Sequence, residues 1–265
     1  MSDLATTTTA LRARGKKALV AFLTAGYPDD ASFEDLVTAA ADAGCDVIEI
    51  GIPFSDPIAD GPVIQAASNA ALARGVTLRS ALEQAARLSP HVAPPLVGMS
   101  YINPILRMGV ETFAGAALES GLSGLILPDV SFEESGAFRP ALRAHGLAYI
   151  DLVAPTSDDA RVRTIAGASS GFVYLVSVTG VTGARSARPI GVTELVDRVR
   201  AATETPVYVG FGVSTPEHAA DVARHADGVI IGSRLMQLAA DGPAAQAGRR
   251  VGDFLAAARK AIDAG

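Results

Sequence analysis

Short apolar runs alternate along the chain with longer stretches of helical period. The runs that read as strands are Ala18 to Thr24, Val47 to Ile50, Leu96 to Ser100, Gly124 to Leu127, Ala148 to Leu152, Phe172 to Val176, Val207 to Val209 and Gly228 to Ile231. Each is nearly all apolar instead of alternating, the pattern of strands covered on both faces. Between them, Ser32 to Ala43, Leu78 to Leu88, Glu133 to Ala144, Asp158 to Ala168, Thr193 to Ala202 and Pro216 to Arg224 space their apolar residues as helices do, and Ala244 to Ala264 reads as a closing helix. Regular strand–helix alternation calls for a parallel sheet with crossover helices, and eight such units in 265 residues is the arithmetic of a (β/α)8 TIM barrel. The competing doubly wound sheet places a glycine-rich turn after its first strand, and Thr24-Ala25-Gly26-Tyr27-Pro28 is not one. Leu11 to Arg14, after the threonine run Thr6 to Thr9, is expected to form an extra N-terminal helix that closes the barrel floor. With no linker or low-complexity tract to divide it, the stretch 1–265 reads as a single barrel domain.

Composition narrows the function classes. Acidic side chains outnumber basic ones 28 to 22, a net charge of −6, and no Lys/Arg run offers the footprint that nucleic acid or an anionic membrane requires. No apolar run approaches the roughly 20 residues that span a bilayer, and a cytoplasmic location is expected. Cys45 is alone, and His91, His145, His218 and His225 never fall at metal-ligand spacing, so no metal is expected. The three lysines, Lys16, Lys17 and Lys260, lie before the first strand and in the last helix, none placed for a Schiff base at the catalytic face. Any bond cleavage would then run on side-chain acids and bases.

In such a barrel, reactive groups belong at the C-terminal ends of the strands and in the loops that follow. In Val47-Ile48-Glu49-Ile50, alternation puts Glu49 on the face opposite the two isoleucines. On the lumen face it would be a carboxyl of raised pKa, suited to proton transfer; otherwise it is a salt-bridged strand-end residue. The loop Ile52 to Pro62 carries prolines that would stiffen it and Asp60, either a catalytic carboxylate over the barrel mouth or a turn residue before Gly61. The long connection Ser177 to Gly191, rich in glycine, hydroxyls and arginine, suits a lid over an anionic ligand. Glycine turns after the seventh and eighth strands are where barrels build phosphate sites, which makes Gly183, Gly212, Gly232 and Ser233 the phosphate candidates. Tyr174 faces either the lumen or packed core.

The stretches AFLTAGYPDD, DVIEIGIPFSDPIADGPVIQAASNAAL, LPDVSFEES, GVTGAR and VGFGVSTPEH, spread over nearly the whole chain, resemble the tryptophan synthase alpha chain family. The resemblance implies a lyase of tryptophan biosynthesis that cleaves indole-3-glycerol phosphate to indole and glyceraldehyde 3-phosphate. It puts Glu49 and Asp60 at the two catalytic carboxylate positions, Phe22, Tyr101, Ile126, Tyr174 and Ile230 around the indole, and Thr182 in the lid that closes onto Asp60. It assigns phosphate to Gly183, Gly212, Gly232 and Ser233. It also implies a beta chain as partner in an alpha2-beta2 heterotetramer, docked around Pro53, Asp56, Asn103 and Pro104, with pyridoxal phosphate carried only by that partner. The chain departs from the family's common pattern at Met99 and in the lid segment Ser177 to Gly180.

Overall fold

The computed structural model describes residues 3–176, 191–210 and 212–265, with Val192 described by its backbone alone. The described strands are β1 (Ala18–Thr24), β2 (Val47–Gly51), β3 (Leu96–Met99), β4 (Leu122–Ile126), β5 (Ala148–Ile150), β6 (Leu152–Val153), β7 (Val173–Val176), β8 (Val207–Gly210) and β9 (Gly228–Ile231). All pair in parallel, in the order β5-β4-β3-β2-β1-β9-β8-β7-β6. Only Asp151 separates β5 from β6, so the two ends of that order meet and the sheet closes into a barrel of eight staves. The fifth stave, expected as one strand, gives its first half to β4 and its second half to β7. The (β/α)8 barrel expected from the alternation is therefore the architecture found.

The helices are α1 (Leu4–Ala13), α2 (Asp30–Asp42), α3 (Pro62–Ala73), α4 (Leu78–Leu88), α5 (Ile102–Met108), α6 (Val110–Glu119), α7 (Arg139–Ala144), α8 (Asp159–Ala168), α9 (Val192–Arg200), α10 (Pro216–His225), α11 (Ser233–Ala240) and α12 (Ala247–Ala264). Several starts are written locally. Asp29, Asp158 and Thr215 accept N–H bonds in the first turns of α2, α8 and α10, Thr77 and Ser80 form a reciprocal capping box at α4, and Pro62 opens α3. Other expectations shift. The Glu133 to Ala144 segment divides into a 3-10 turn, Glu134–Ala137, and α7, with Phe138 between them. The N-terminal helix includes the threonine run and begins at Leu4, where the Asp3 side chain accepts the Thr6 N–H.

Alternation along the staves divides the core in two. Val20, Val47, Val97, Ile126, Ile150, Phe172, Tyr174, Tyr208 and Ile230 fill the lumen with Leu4, whereas Leu19, Leu23, Ile48, Ile50 and their neighbours pack outward under the helices. Leu4 is wholly buried among the lumen residues, and the buried Thr8 hydroxyl donates to the Gly171 carbonyl at 2.6 Å. The N-terminal helix thus plugs the floor and leaves the opposite end of the lumen open for chemistry.

Candidate active site

Glu49 sits in the middle of β2 on the same face as Val47, so the alternation that sends Ile48 and Ile50 outward sends its carboxyl into the lumen. Its strand neighbours are Phe22 on β1 and Val97 on β3. The side chain is fully buried, and neither carboxylate oxygen has a hydrogen-bond partner among the described residues. Loss of water without compensation disfavours the charged form and pushes the carboxyl up to about 8. At neutral pH Glu49 therefore holds its proton.

Asp60 closes the loop after β2. Its N–H donates to the Pro57 carbonyl at 3.0 Å, its carbonyl accepts from the Gln65 side chain at 2.8 Å, and Gly61 and Pro62 then turn the chain into α3. Burial pushes its carboxyl up to about 6, opposed by a hydrogen bond from the Tyr101 hydroxyl. That hydroxyl also accepts the Ala59 N–H at 3.0 Å, and the Tyr101 ring stacks on Phe54 with centroids 5.2 Å apart. Tyr101 is thus placed under the loop as its support. The Tyr174 hydroxyl is held well above its ordinary range by burial, then by the nearby charges of Glu49 and Asp60. Tyr174 therefore lies near both carboxyls, on the lumen face.

A cavity of about 170 Å³ opens beside Asp60. It brings together Phe22, Asp60, Tyr174, Gly212, Ile230, Gly232 and Ser233 from the sequence candidates, with Met99 in its wall. Ile126 lies deeper, fully buried in the lumen. Thr182 and Gly183 fall outside the described residues. Gly212, which turns with φ of 77°, and Ser233, which begins α11, line the same cavity as Asp60, and a helix start leaves N–H groups free for an anion. Ser214, Arg234 and Gln237 complete the lining and were not singled out from the sequence, although each lies within five residues of a flagged glycine. Gly51 and Gly210 were also missed. A Cβ at Gly51 would lie 2.3 Å from the Phe22 ring, and one at Gly210 would lie 2.2 Å from the Tyr174 hydroxyl, so glycine there makes room for two cavity side chains.

The docking candidates fall at the same end of the barrel. Asp56 and Asn103 are exposed and Pro104 half-buried, whereas Pro53 is buried and offers no free surface. In the same two connections, Ile58 and Leu106 are 82% and 54% exposed, the large hydrophobic side chains most open to solvent among the described residues. Cys45 is buried under the helices, with its thiol pushed up by burial.

A (β/α)8 barrel with a protonated carboxyl in its lumen, a second carboxylate at the rim and a helix start at the cavity defines an acid–base enzyme for a small anionic substrate. The model of the tryptophan synthase alpha chain family matches residues 8–261. The tryptophan synthase alpha chain of Geobacter sulfurreducens is 47% identical over 262 residues, 99% of either chain. That of Burkholderia pseudomallei is 44% identical, covering 99% of this chain and 97% of its own. Tryptophan synthase subunit alpha of Legionella pneumophila superposes with a TM-score of 0.92 at 34% identity over the whole of both chains. A chain of Mycobacterium tuberculosis tryptophan synthase gives 0.91 at 39% identity, over 100% of this chain and 99% of that one. The chain belongs to the tryptophan synthase alpha chain family, and is a lyase of tryptophan biosynthesis.

Proposed function

We propose that Glu49 and Asp60 share the alpha reaction of this family, the retro-aldol cleavage of indole-3-glycerol phosphate to indole and glyceraldehyde 3-phosphate. The observation that carries the division of labour is that Glu49 is buried without a partner among the described residues and protonated at neutral pH, while Asp60 at the cavity is largely ionised. Glu49 gives its proton to indole C3. As C3 takes it up, positive charge develops at the ring N–H, and the Asp60 carboxylate stabilises that charge more than it stabilises the ground state. Glu49, now a carboxylate, removes the proton of the adjacent glycerol hydroxyl. The carbon–carbon bond then breaks, its electrons restore the aromatic ring, the aldehyde leaves, and Glu49 is again protonated.

Phe22, Tyr101, Ile126, Tyr174 and Ile230 bound the space for the indole, Thr182 closes from the lid, and Gly183, Gly212, Gly232 and Ser233 take the phosphate. The beta chain implied by the family name docks over Asp56, Asn103 and Pro104, with Pro53 buried beneath that face, in an alpha2-beta2 assembly that passes indole onward; the exposed Ile58 and Leu106 support the face. The chain needs no cofactor of its own, since pyridoxal phosphate belongs to the partner. No described helix is long and apolar enough to cross a membrane, which fits a cytoplasmic enzyme acting as one domain over 1–265.

The test is indole release from indole-3-glycerol phosphate by the purified chain, alone and with a beta chain. Slow release that rises steeply on adding the partner is expected. Asp60→Asn should lower it about 10²- to 10³-fold, the worth of one group stabilising charge in a transition state. Activity of Asp60→Asn equal to the parent would overturn its role, and full activity without the beta chain would overturn the subunit reading.

A further inference from the structure

Tyr101 supports Asp60 from the start of a short helix that is itself held from behind. It is the N-cap of α5, where its own side chain makes no capping bond. Instead Asp129, from the loop after β4, accepts the Ile102 N–H on both carboxylate oxygens at 3.1 Å each. The buried Ser100 hydroxyl donates to the Tyr101 carbonyl at 3.1 Å, and the Phe54 stack fixes the ring. The Tyr101 hydroxyl then meets both the Ala59 N–H and the Asp60 carboxylate.

We infer that Asp129 and Tyr101 are a pair of positioning residues for Asp60: Asp129 fixes the backbone at Tyr101, and the Tyr101 hydroxyl, held at the Ala59 N–H, places the Asp60 carboxylate. The inference rests on the role of Asp60 proposed above. Burial alone drives Asp60 toward its protonated form, in which it cannot stabilise a developing cation, and donation from Tyr101 opposes that drive. Among the described residues, the titratable and charged groups around Asp60 are Tyr101 at α5, Tyr174 on β7 with Glu49 on β2 beside it, and Arg234 on α11, with Asp129 behind Tyr101. Burial and then the Asp60 carboxylate, with Asp129 adding least, make the Tyr101 phenol harder to ionise, so it remains a donor across the working pH range.

The experiment assembles Tyr101→Phe, Asp129→Ala, Asp129→Asn and the Tyr101→Phe/Asp129→Ala double variant with a beta chain. It follows kcat/KM for indole release from about pH 5.5 to 9. In Tyr101→Phe the acid limb moves up by about one pH unit, a loss of about fivefold at pH 6 that shrinks as the pH rises. Asp129→Ala moves the limb the same way by less, and Asp129→Asn, which keeps an acceptor for the Ile102 N–H, restores most of it. The double variant moves no further than Tyr101→Phe, because Asp129 acts through Tyr101. A limb that stays in place in Tyr101→Phe, with activity lowered by one factor at every pH, overturns the proposal whatever the Asp129 variants do. Additive shifts in the double variant overturn the part assigned to Asp129. Asp60→Asn is the control: if it retains indole release, the role of Asp60 falls, whereas if it is inactive and the Tyr101→Phe limb stays in place, only the positioning pair falls.

Discussion

At the floor of the barrel, Asp46 and Asp227 stand one residue before β2 and β9 and do the same thing. Asp46 accepts the Leu19 N–H at 2.9 Å while its own N–H donates to the Leu19 carbonyl at 2.8 Å, and Arg259 adds a bond to the carboxylate at 3.1 Å. Asp227 repeats the exchange with Val207, at 2.9 Å in both directions, and Arg200 adds a bond at 2.7 Å. At the other end of the same staves, Glu49 has lost water and gained no partner among the described residues. The floor satisfies its buried carboxylates, and the mouth leaves one unsatisfied. A carboxylate that accepts two or three hydrogen bonds is engaged as a structural tie; one buried without donors keeps its proton and can deliver it. The two ends thus divide stability from chemistry, and each can be attacked separately.

The largest effect is expected from Glu49→Gln. Indole release should fall about 10²- to 10⁴-fold, the range of a lost general acid. Stability should move the other way, and the sign follows from linkage. Burial raises Glu49 from 4.5 to about 8, so the folded state holds a proton that the unfolded chain has released, and stability is lost as the pH rises through that interval. The shift corresponds to at most about 5 kcal/mol between pH 4.5 and 8, and Gln, which never ionises, removes that dependence. Denaturant unfolding at pH 5 and pH 9 measures it. A variant whose stability falls with pH as steeply as the parent's would show that Glu49 is not the buried proton.

Asp227→Ala attacks the floor. It strips the acceptor from the Val207 N–H at the start of β8 and leaves Arg200, which is partly exposed, to water. The expected loss is about 2–3 kcal/mol of unfolding free energy, with kcat/KM for indole release within about twofold of the parent. A matching drop in kcat/KM would mean that the floor shapes the mouth and that the two ends are not separable.

The mouth was far more legible in the sequence than the floor. Glu49 could be placed because a single carboxylate between two isoleucines on a strand has only one other face to occupy, and the lumen proved to be that face. The glycine turns after the last two strands likewise declared themselves by position along the chain. The start of α1 was hidden because four consecutive threonines are poor helix formers, and what carries them is the burial of Leu4 and Thr8 against residues more than a hundred positions away. The break at Asp151 was hidden for a similar reason. It follows from the closure of the barrel, where one stave must change partners, and from Arg139, which pairs with the carboxylate from α7. Tyr101 suggested a pocket wall, yet its hydroxyl serves Ala59 and Asp60, a contact between separate loops that no local pattern encodes. Local chemistry is written locally; support from a distant element is not.

Thr8→Val gives the smallest effect and the sharpest test of that division. The substitution keeps the shape of a buried β-branched side chain and removes the 2.6 Å bond from its hydroxyl to the Gly171 carbonyl, with a longer one to the Ala5 carbonyl at 3.3 Å. One neutral hydrogen bond, with the acceptor left buried, is worth about 1–2 kcal/mol, so the unfolding midpoint should drop by a few degrees. Gly171 lies two residues before β7, and the same strand carries Tyr174 to the cavity, so a floor that merely plugs the barrel leaves kcat/KM and its pH limbs unchanged. If Thr8→Val instead moved the limb governed by Glu49, the floor would be setting the position of Tyr174 through β7. The lumen would then be one coupled column from Leu4 to Asp60, and the separation of stability from chemistry would fail at the strand that joins them.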